Sequence, residues 1–243
     1  QNKAQRDATI KSEKKTWEDE LNTWTHEKDP YSMDMIKDSK AMHPREMLRA
    51  IEKALPKNSM VSTDIGNICS VSNSYLRFDE PRSMFAAMSF GNCGYAFPVA
   101  IGAKIAAPNR PAFAYVGDGA WGISLNELLT CAREKIGVTV ILFNNGQWGA
   151  EKKNHVDFYS RRYQGVELVN PSWAAVAKSF GCEGITVDKV TDVGAAIQTA
   201  VKNQAEGKTT VLEMMVTKEL GDPFRRDALS KPVRFLDKYK DYV

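Results

Sequence analysis

Short apolar runs alternate with amphipathic stretches between residues 43 and 217, and this alternation predicts the fold. Residues 112–116 and 138–143 are continuous apolar runs, as in strands buried on both faces of a parallel sheet. Leu125, Leu128, Leu129 and Ala132 recur at helical spacing between these runs and predict a helix over residues 124–135. Further helices are predicted at 44–55, 98–107, 173–180 and 192–205, and further strands at 59–64, 185–187 and 209–216. This order predicts a doubly wound α/β fold, a mostly parallel sheet with helices on both faces.

Charge divides the chain into three predicted parts. Residues 1–57 hold 23 charged side chains, whereas residues 85–147 hold seven, so the second segment is expected at the centre of a domain. We expect residues 1–42 to form a charged helix, broken at Asp29-Pro30, and a linker that follows an upstream domain outside this chain. Residues 43–217 are expected to form one domain, in which Met84, Met88, Met214 and Met215 fill the core. Residues 218–243, with two prolines and many charges, are expected to form a tail over the surface.

Composition excludes several classes of protein. The 33 Lys and Arg residues nearly balance 30 Asp and Glu, which argues against binding of nucleic acid through bulk positive charge. No apolar run approaches the roughly 18 residues that span a bilayer, so no membrane association is expected. The four cysteines form no CxxC pair, which argues against a zinc site and favours reduced thiols in a cytoplasmic protein. The chain begins at Gln1 without Met, as expected for a piece of a longer protein.

The predicted strand 112–116 leads into a glycine-rich segment, residues 117–122, that has the form G-x-G-x-x-G. A dinucleotide site would need an acidic residue at the end of the next strand, where the sequence has Asn144 and Asn145. Moreover, Asp118 lies between the glycines, where a bare carboxylate would repel a diphosphate. The dinucleotide interpretation therefore fails on charge.

A divalent cation between Asp118 and a diphosphate removes this conflict. Asp118 and Asn145 are 27 positions apart, separated by one predicted helix and one predicted strand. Right-handed winding brings both to the same edge of the sheet. Mg²⁺ takes about six oxygen ligands and readily joins a carboxylate to phosphate oxygens. The sequence thus predicts a Mg²⁺ and diphosphate site at this edge.

The segment Gly117-Asp118-Gly119 and the pair Asn144-Asn145, with 24 residues between them, resemble the diphosphate and magnesium motif of thiamine diphosphate enzymes. The resemblance implies thiamine diphosphate and Mg²⁺ as cofactors. It implies Asp118, Asn145 and the carbonyl of Gln147 as metal ligands. Around the diphosphate it implies contacts from Gly117, Asp118, Gly119, Ala120 and Asn145.

Two further stretches resemble cofactor-binding segments of the same family. Residues 89–98 resemble the segment that holds the aminopyrimidine ring, which implies that the carbonyl of Gly91 accepts a hydrogen bond from it. Cys93 then takes the place of the bulky residue that bends the cofactor, or is simply a small buried side chain. Residues 64–67 resemble a loop that touches the diphosphate, with Asn67 as the contact.

Longer stretches, residues 86–94, 144–159 and 219–228, resemble one group of the acetolactate synthase-like branch, the sulfoacetaldehyde acetyltransferases. This resemblance implies sulfoacetaldehyde and phosphate as substrates, and acetyl phosphate and sulfite as products. Another enzyme of that branch, such as an acetolactate synthase or a 2-oxoacid decarboxylase, or a non-catalytic subunit that needs a partner chain, stays open. The resemblance also implies a homo-oligomer whose active site lies at a subunit interface. The Glu that activates the pyrimidine ring is then supplied by a domain outside residues 1–243, so this chain alone is expected to be inactive.

Glu151 occupies the position of an active-site Glu in decarboxylases of this superfamily. It either assists proton transfer or positions phosphate, or it is a solvated residue in the first turn of a helix. Four basic residues nearby either attract the sulfonate and phosphate groups or form a solvated face: Lys152, Lys153, Arg161 and Arg162.

Overall fold

The computed structural model describes residues 2–25, 27, 36–37 and 39–221. The predicted break at Asp29-Pro30 and the predicted tail from residue 222 onward lie outside the described residues. The described elements, in chain order, are α1 (Lys3–Thr23), α2 (Pro44–Ala54), β1 (Met60–Thr63), α3 (Asn67–Ser72), β2 (Met84–Ala86), α4 (Ala96–Ala106), β3 (Ala112–Gly117), α5 (Asp118–Ser124), α6 (Glu127–Glu134), β4 (Thr139–Asn144), α7 (Gly149–Phe158), α8 (Trp173–Ser179), β5 (Glu183–Val187), a 3₁₀ turn (Val190–Asp192), α9 (Val193–Ala205) and β6 (Thr210–Met215).

All six strands form one parallel sheet in the order β2-β1-β3-β4-β6-β5. The chain builds outward from β1 in both directions, so the strand order reverses between β1 and β3. In such sheets the crevice at the carboxyl ends of the strands beside a reversal is the usual place for ligands. The predicted doubly wound α/β fold is confirmed.

The central strands have side chains buried on both faces, as their apolar sequences predict. Phe113 and Tyr115 of β3 point into a core that also holds α2, α3 and α9. Ala114 and Val116 point to the opposite face, into a second core with α4 and α6. Because successive side chains of a strand alternate between faces, a strand between two helical layers must be apolar throughout.

The helix α2 shows how the sequence sets the limits of an element. Pro44 is its first residue, where a missing N–H costs no helical hydrogen bond. Met47, Leu48 and Ile51 form its buried face against the sheet. Leu55 is the residue after the helix and has an extended backbone, as expected before Pro56.

Several sequence-based expectations were wrong in detail. The predicted helix 124–135 corresponds to α6 but begins later, at Glu127, because Ser124 is the last residue of α5; Leu129 is 56% exposed. Met214 is buried as expected, but Met84 and Met88 are 40% and 65% exposed because β2 is an edge strand followed by an open loop. The short elements α3 and β2 have too few residues to show a hydrophobic period, and they were not predicted.

The segment directly after β6 pairs with the residues that precede α2. Met42 pairs with Val216, and the Thr217 N–H donates to the Met42 carbonyl at 3.0 Å. Leu220 is 1% exposed. The described beginning of the predicted surface tail is therefore buried, because it packs beside α3.

Candidate active site

A cleft opens at the carboxyl edge of the sheet. Asp64 follows β1, Asp118 follows β3, and Asn145 follows β4, so all three residues lie at this edge. The cleft has a volume of about 180 Å³. It lies beside the reversal in strand order, where a ligand site is expected.

Asp118 is a buried carboxylate, 3% exposed, near the base of the cleft. Its Oδ2 accepts hydrogen bonds from the Gly146 N–H and from Asn170 Nδ2, both at 2.7 Å. Its Oδ1 accepts from the Gly119 N–H at 3.0 Å. Burial raises the pKa of Asp118, and these hydrogen bonds offset part of that rise. A bound cation would favour the charged form further, so the site suits a positive ion.

The turn from Asn145 to Gln147 supplies neutral oxygen atoms beside Asp118. Gly146 has a φ of +65°, which glycine adopts without strain. Asn145 Oδ1 accepts from the Gln147 N–H at 3.3 Å. Gln147 is 2% exposed, and within the described residues its backbone carbonyl accepts no hydrogen bond. A buried carbonyl without a partner is unusual, and a metal ion would satisfy it.

This turn is held in place by a segment that precedes α8. The Trp148 N–H donates to the Val166 carbonyl at 2.8 Å, and the Leu168 N–H donates to the Gly146 carbonyl at 2.9 Å. Gln147 therefore pairs with Glu167 in an antiparallel bridge. Because backbone groups alternate in direction along an extended pair, the Gln147 carbonyl faces away from this segment.

Asp64 holds the segment that carries Cys93. Its carboxylate accepts from the Gly94 N–H at 3.0 Å and from the Ala96 N–H at 3.3 Å, at the start of α4. Cys93 lines the cleft, whereas Gly91, exposed and with a φ of +75°, does not. The pKa of Cys93 is raised, first by burial and then by the charges of Asp64 and Glu151. Cys93 and Glu151 both line the cleft.

Asn67 also lines the cleft, but its side-chain amide is already engaged. Asn67 Nδ2 donates to the Gly221 carbonyl and Oδ1 accepts from the Gly221 N–H, both at 2.8 Å. The amide thus fixes the segment after β6 against the cleft. A contact with a diphosphate through the same groups would have to displace Gly221.

The four basic residues near the cleft differ in what they touch. Lys152 is 3% exposed, and its Nζ donates to Gln147 Oε1 at 3.0 Å and also to Glu167. It therefore supports the Gln147 turn and is not available to attract an anion. Lys153 pairs with Asp157 at 2.6 Å. Arg161 and Arg162 lie on the exposed segment after α7.

The cleft brings together nearly all of the predicted site residues. Its lining includes Asn67, Cys93, Gly117, Asp118, Gly119, Ala120, Asn145, Gln147 and Glu151. Sequence reasoning missed Trp148, which lines the cleft, and Asn170, which contacts Asp118. The sequence signal for Asn170 is its position before Pro171, which is typical of a turn, and before Ser172, which is the N-cap of α8.

The sequence pattern of the family described as thiamine pyrophosphate enzyme, C-terminal TPP binding domain, matches residues 64–214. The chain belongs to the thiamine pyrophosphate enzymes. Thiamine pyrophosphate is another name for thiamine diphosphate, so the predicted family is confirmed. The matched region begins at Asp64 and ends within β6, and it includes the whole cleft edge.

Relatives of this thiamine pyrophosphate enzyme chain include sulfoacetaldehyde acetyltransferases. The protein of that name from Castellaniella defragrans is 60% identical over 248 residues, which cover 100% of this chain and 42% of the relative. The one from Alcaligenes xylosoxydans xylosoxydans is 62% identical over 251 residues, 99% of this chain and 42% of the relative. The chain thus spans about two fifths of the length of these relatives, and the predicted resemblance is confirmed.

Among solved structures, the fold is similar to that of the thiamine diphosphate-dependent 4-hydroxybenzoylformate decarboxylase from Rhodococcus jostii RHA1. The TM-score is 0.68 at 22% identity, over 74% of this chain and 33% of that one. At this identity the likeness supports the fold alone.

Proposed function

We propose that residues 43–217 bind the diphosphate end of thiamine diphosphate together with Mg²⁺, in the cleft at the carboxyl edge of the sheet. The observation that carries this proposal is the buried Asp118 carboxylate beside the Gln147 carbonyl, to which no residue in the described part of the chain donates a hydrogen bond. With Asn145 these groups supply one charged and two neutral oxygens. Such a donor set suits a hard cation that also binds phosphate oxygens.

The chemistry of the donor set agrees with Mg²⁺. Among the described residues, no group of three or more His, Cys, Asp or Glu side chains could hold a metal ion. A site rich in thiol or imidazole would favour softer metals, whereas carboxylate, amide and carbonyl oxygens favour Mg²⁺. Asp118, Asn145 and Gln147 are the proposed ligands.

Residues around the proposed metal would leave space for the diphosphate. A Cβ added at Gly117 would meet no atom within 4 Å, so the cleft wall is open there. We assign Gly117, Gly119 and Ala120 to the diphosphate wall. Asn67 also lines the cleft and would contribute to this wall by fixing Gly221 beside it. Gly91 and Cys93 would then lie toward the ring end of the cofactor.

We propose that the whole protein converts sulfoacetaldehyde and phosphate to acetyl phosphate and sulfite. The names of its relatives support sulfoacetaldehyde as a substrate and the transfer of an acetyl group. Bound thiamine diphosphate supplies a carbanion nucleophile for such a reaction. In this chain, Glu151 and Cys93 both line the cleft, and Glu151 is exposed, so it could reach a substrate to transfer a proton or to position phosphate. Cys93 would support the bent cofactor.

Other properties follow from the same proposal. The protein would be a cytoplasmic homo-oligomer that completes its active site at a subunit interface. The division into residues 1–42, 43–217 and 218–243 is also proposed. All four cysteines are free thiols, which is compatible with a reducing compartment.

The second candidate function is that of an acetolactate synthase. A large subunit of this name from Parasynechococcus marenigrum is 32% identical over 178 residues, 72% of this chain and 28% of the relative. The purified whole protein, including the domain that supplies the pyrimidine-activating Glu, should release sulfite from sulfoacetaldehyde in a phosphate-dependent reaction and leave pyruvate unchanged. Turnover of pyruvate without sulfite release would favour the second function instead.

The metal and cofactor site is tested separately by calorimetry. Loss of a residue that only orients a metal ligand commonly lowers metal affinity about 10–100-fold. Loss of the ligand itself should cost more, so Asp118→Ala should weaken Mg²⁺-dependent binding of thiamine diphosphate by at least about 100-fold. Asp188→Ala is the matched control, because Asp188 is exposed and far along the chain from the cleft. Unchanged affinity in Asp118→Ala would overturn the site assignment.

A further inference from the structure

Asn170 contacts two side chains at the carboxyl edge of the sheet, and the proposed metal site depends on the positions of both. Its Nδ2 donates to Asp118 Oδ2 at 2.7 Å and to Asn144 Oδ1 at 2.9 Å. Both acceptors are buried, with exposed fractions of 3% for Asp118 and 7% for Asn144. Asn170 therefore contacts one proposed metal ligand directly and the residue that precedes another.

The hydrogen bonds continue to a second buried carboxylate, Glu213 of β6. Asn144 Nδ2 donates to Glu213 Oε1 at 2.9 Å. Glu213 is 2% exposed, and it also accepts from the Trp173 N–H and the Ala174 N–H, both at 3.1 Å. Glu213 thereby fixes the start of α8, only three residues after Asn170.

The two carboxylates determine the direction of every donor between them. Both oxygens of Glu213 accept hydrogen bonds, so Asn144 must turn its Nδ2 toward Glu213. The Oδ1 of Asn144 then faces Asn170, which must present its own Nδ2. Because Asp118 also accepts, an amide flip of either Asn would place oxygen against oxygen. The chain of hydrogen bonds therefore has one favourable arrangement.

The same segment also supports the other proposed ligands through its backbone. Val166 and Leu168 pair with Trp148 and Gly146, on either side of Gln147. The segment 166–170 therefore contacts both halves of the proposed metal site, the Gln147 turn and the Asp118 side chain.

We propose that Asn170 is a positioning residue that presets the Asp118 carboxylate for Mg²⁺, and that Glu213 anchors Asn170 through Asn144. This inference rests on the proposed function, because it takes Asp118 as a metal ligand. Partners that orient a metal ligand commonly affect metal affinity about 10–100-fold, although they do not touch the metal. Asn170 acts on the metal through Asp118.

The test uses two variants of the full chain and titrates Mg²⁺ at a fixed concentration of thiamine diphosphate. Asn170→Ala removes the amide, and Asn170→Leu keeps a side chain of similar size without an N–H. Both should raise the apparent dissociation constant for Mg²⁺ by about 10–100-fold. At saturating Mg²⁺ the affinity for thiamine diphosphate should return to that of the unmodified chain. Asn203→Ala is the matched control, because the Asn203 amide bonds Thr210 at the other end of β6.

A purely structural role would give a different result. It would lower the melting temperature of the ligand-free chain, and the loss of cofactor affinity would persist at saturating Mg²⁺. That result, or unchanged Mg²⁺ affinity in both Asn170 variants, would overturn the inference. Asp118→Ala measured alongside separates the two proposals: if it loses Mg²⁺ binding while the Asn170 variants keep it, only the positioning role fails. If Asp118→Ala also binds normally, the proposed function fails with it.

Discussion

The indole ring of Trp148 lies directly against the backbone of Gly119. A Cβ added at Gly119 would come within 2.7 Å of Trp148 Cε2, closer than real side chains approach. Gly119 follows Asp118, and Trp148 follows Gln147, so this contact joins the two segments that carry the proposed metal ligands. The glycine at position 119 is therefore needed for close packing.

We predict that Gly119→Ala destabilises the chain by about 1–3 kcal/mol, the usual cost of an added methyl in a packed site. The substitution should also weaken binding of thiamine diphosphate, because Trp148 must move and carries the Gln147 turn with it. Chemical denaturation measures the first effect, and calorimetry measures the second.

Gly122→Ala is the control for this prediction, since Gly122 belongs to the same helix, α5. A Cβ at Gly122 would meet nothing within 4 Å, and alanine favours a helix over glycine by about 1 kcal/mol. Gly122→Ala should therefore be neutral or stabilising. Equal destabilisation by the two substitutions would show that the contact with Trp148 is not the cause.

The position of the site could be predicted from the sequence, because it depends on strands with a strong signal. The apolar runs of β3 and β4 are continuous, and each ends at the polar group that the chemistry requires, Asp118 or Asn145. Parallel strands then bring these groups to one edge without knowledge of any side-chain contact.

The supporting contacts could not be predicted, because they join segments without a regular period. Asn170 lies in an irregular stretch, and its contact with Asp118 spans 52 positions. Asn67 pairs with Gly221 across 154 positions, which turned an expected surface tail into a buried segment. No local pattern specifies such partners.

Cys93 should be the most reactive of the four thiols, yet less reactive than a free cysteine at neutral pH. It is half-buried, whereas Cys69, Cys131 and Cys182 are buried. Burial raises the pKa of Cys131 and of Cys182 to about 11. The pKa of Cys93 is also raised, and the thiolate is the reactive form. The alkylation rate of Cys93 should thus keep rising as the pH passes the ordinary pKa of a cysteine thiol, about 8.5.

Mass spectrometry after timed alkylation checks this prediction. Glu151→Gln should move the midpoint of the Cys93 rate profile to lower pH, because the charge of Glu151 contributes to the raised pKa. Thiamine diphosphate with Mg²⁺ should slow the labelling of Cys93. A midpoint at or below that of a free thiol, or a midpoint that does not change in Glu151→Gln, would show that the two side chains do not interact.

Three large apolar side chains lie exposed near the cleft, and we predict that they drive self-association of the chain. Met88 is 65%, Phe90 91% and Ile123 57% exposed. Gly94 follows Met88 and Phe90 on the same segment of the chain. A Cβ added at Gly94 would lie 2.8 Å from Ile123 Cγ2, so Ile123 is close to this segment. Isolated exposed apolar residues are common, but a group beside a ligand cleft is typical of an interface.

Phe90→Ser should weaken self-association of the purified chain by about 10–100-fold, because burial of a phenylalanine contributes about 1.5–3 kcal/mol. Sedimentation velocity over a range of concentrations measures the change. Ile105→Ser is the matched control, since Ile105 is 62% exposed but lies near the end of α4, remote from the cleft edge. Circular dichroism should show that both variants keep the fold. Since the expected difference depends on the location of Phe90 and not on its hydrophobicity alone, equal weakening by both variants would refute the prediction, as would a chain that is monomeric throughout.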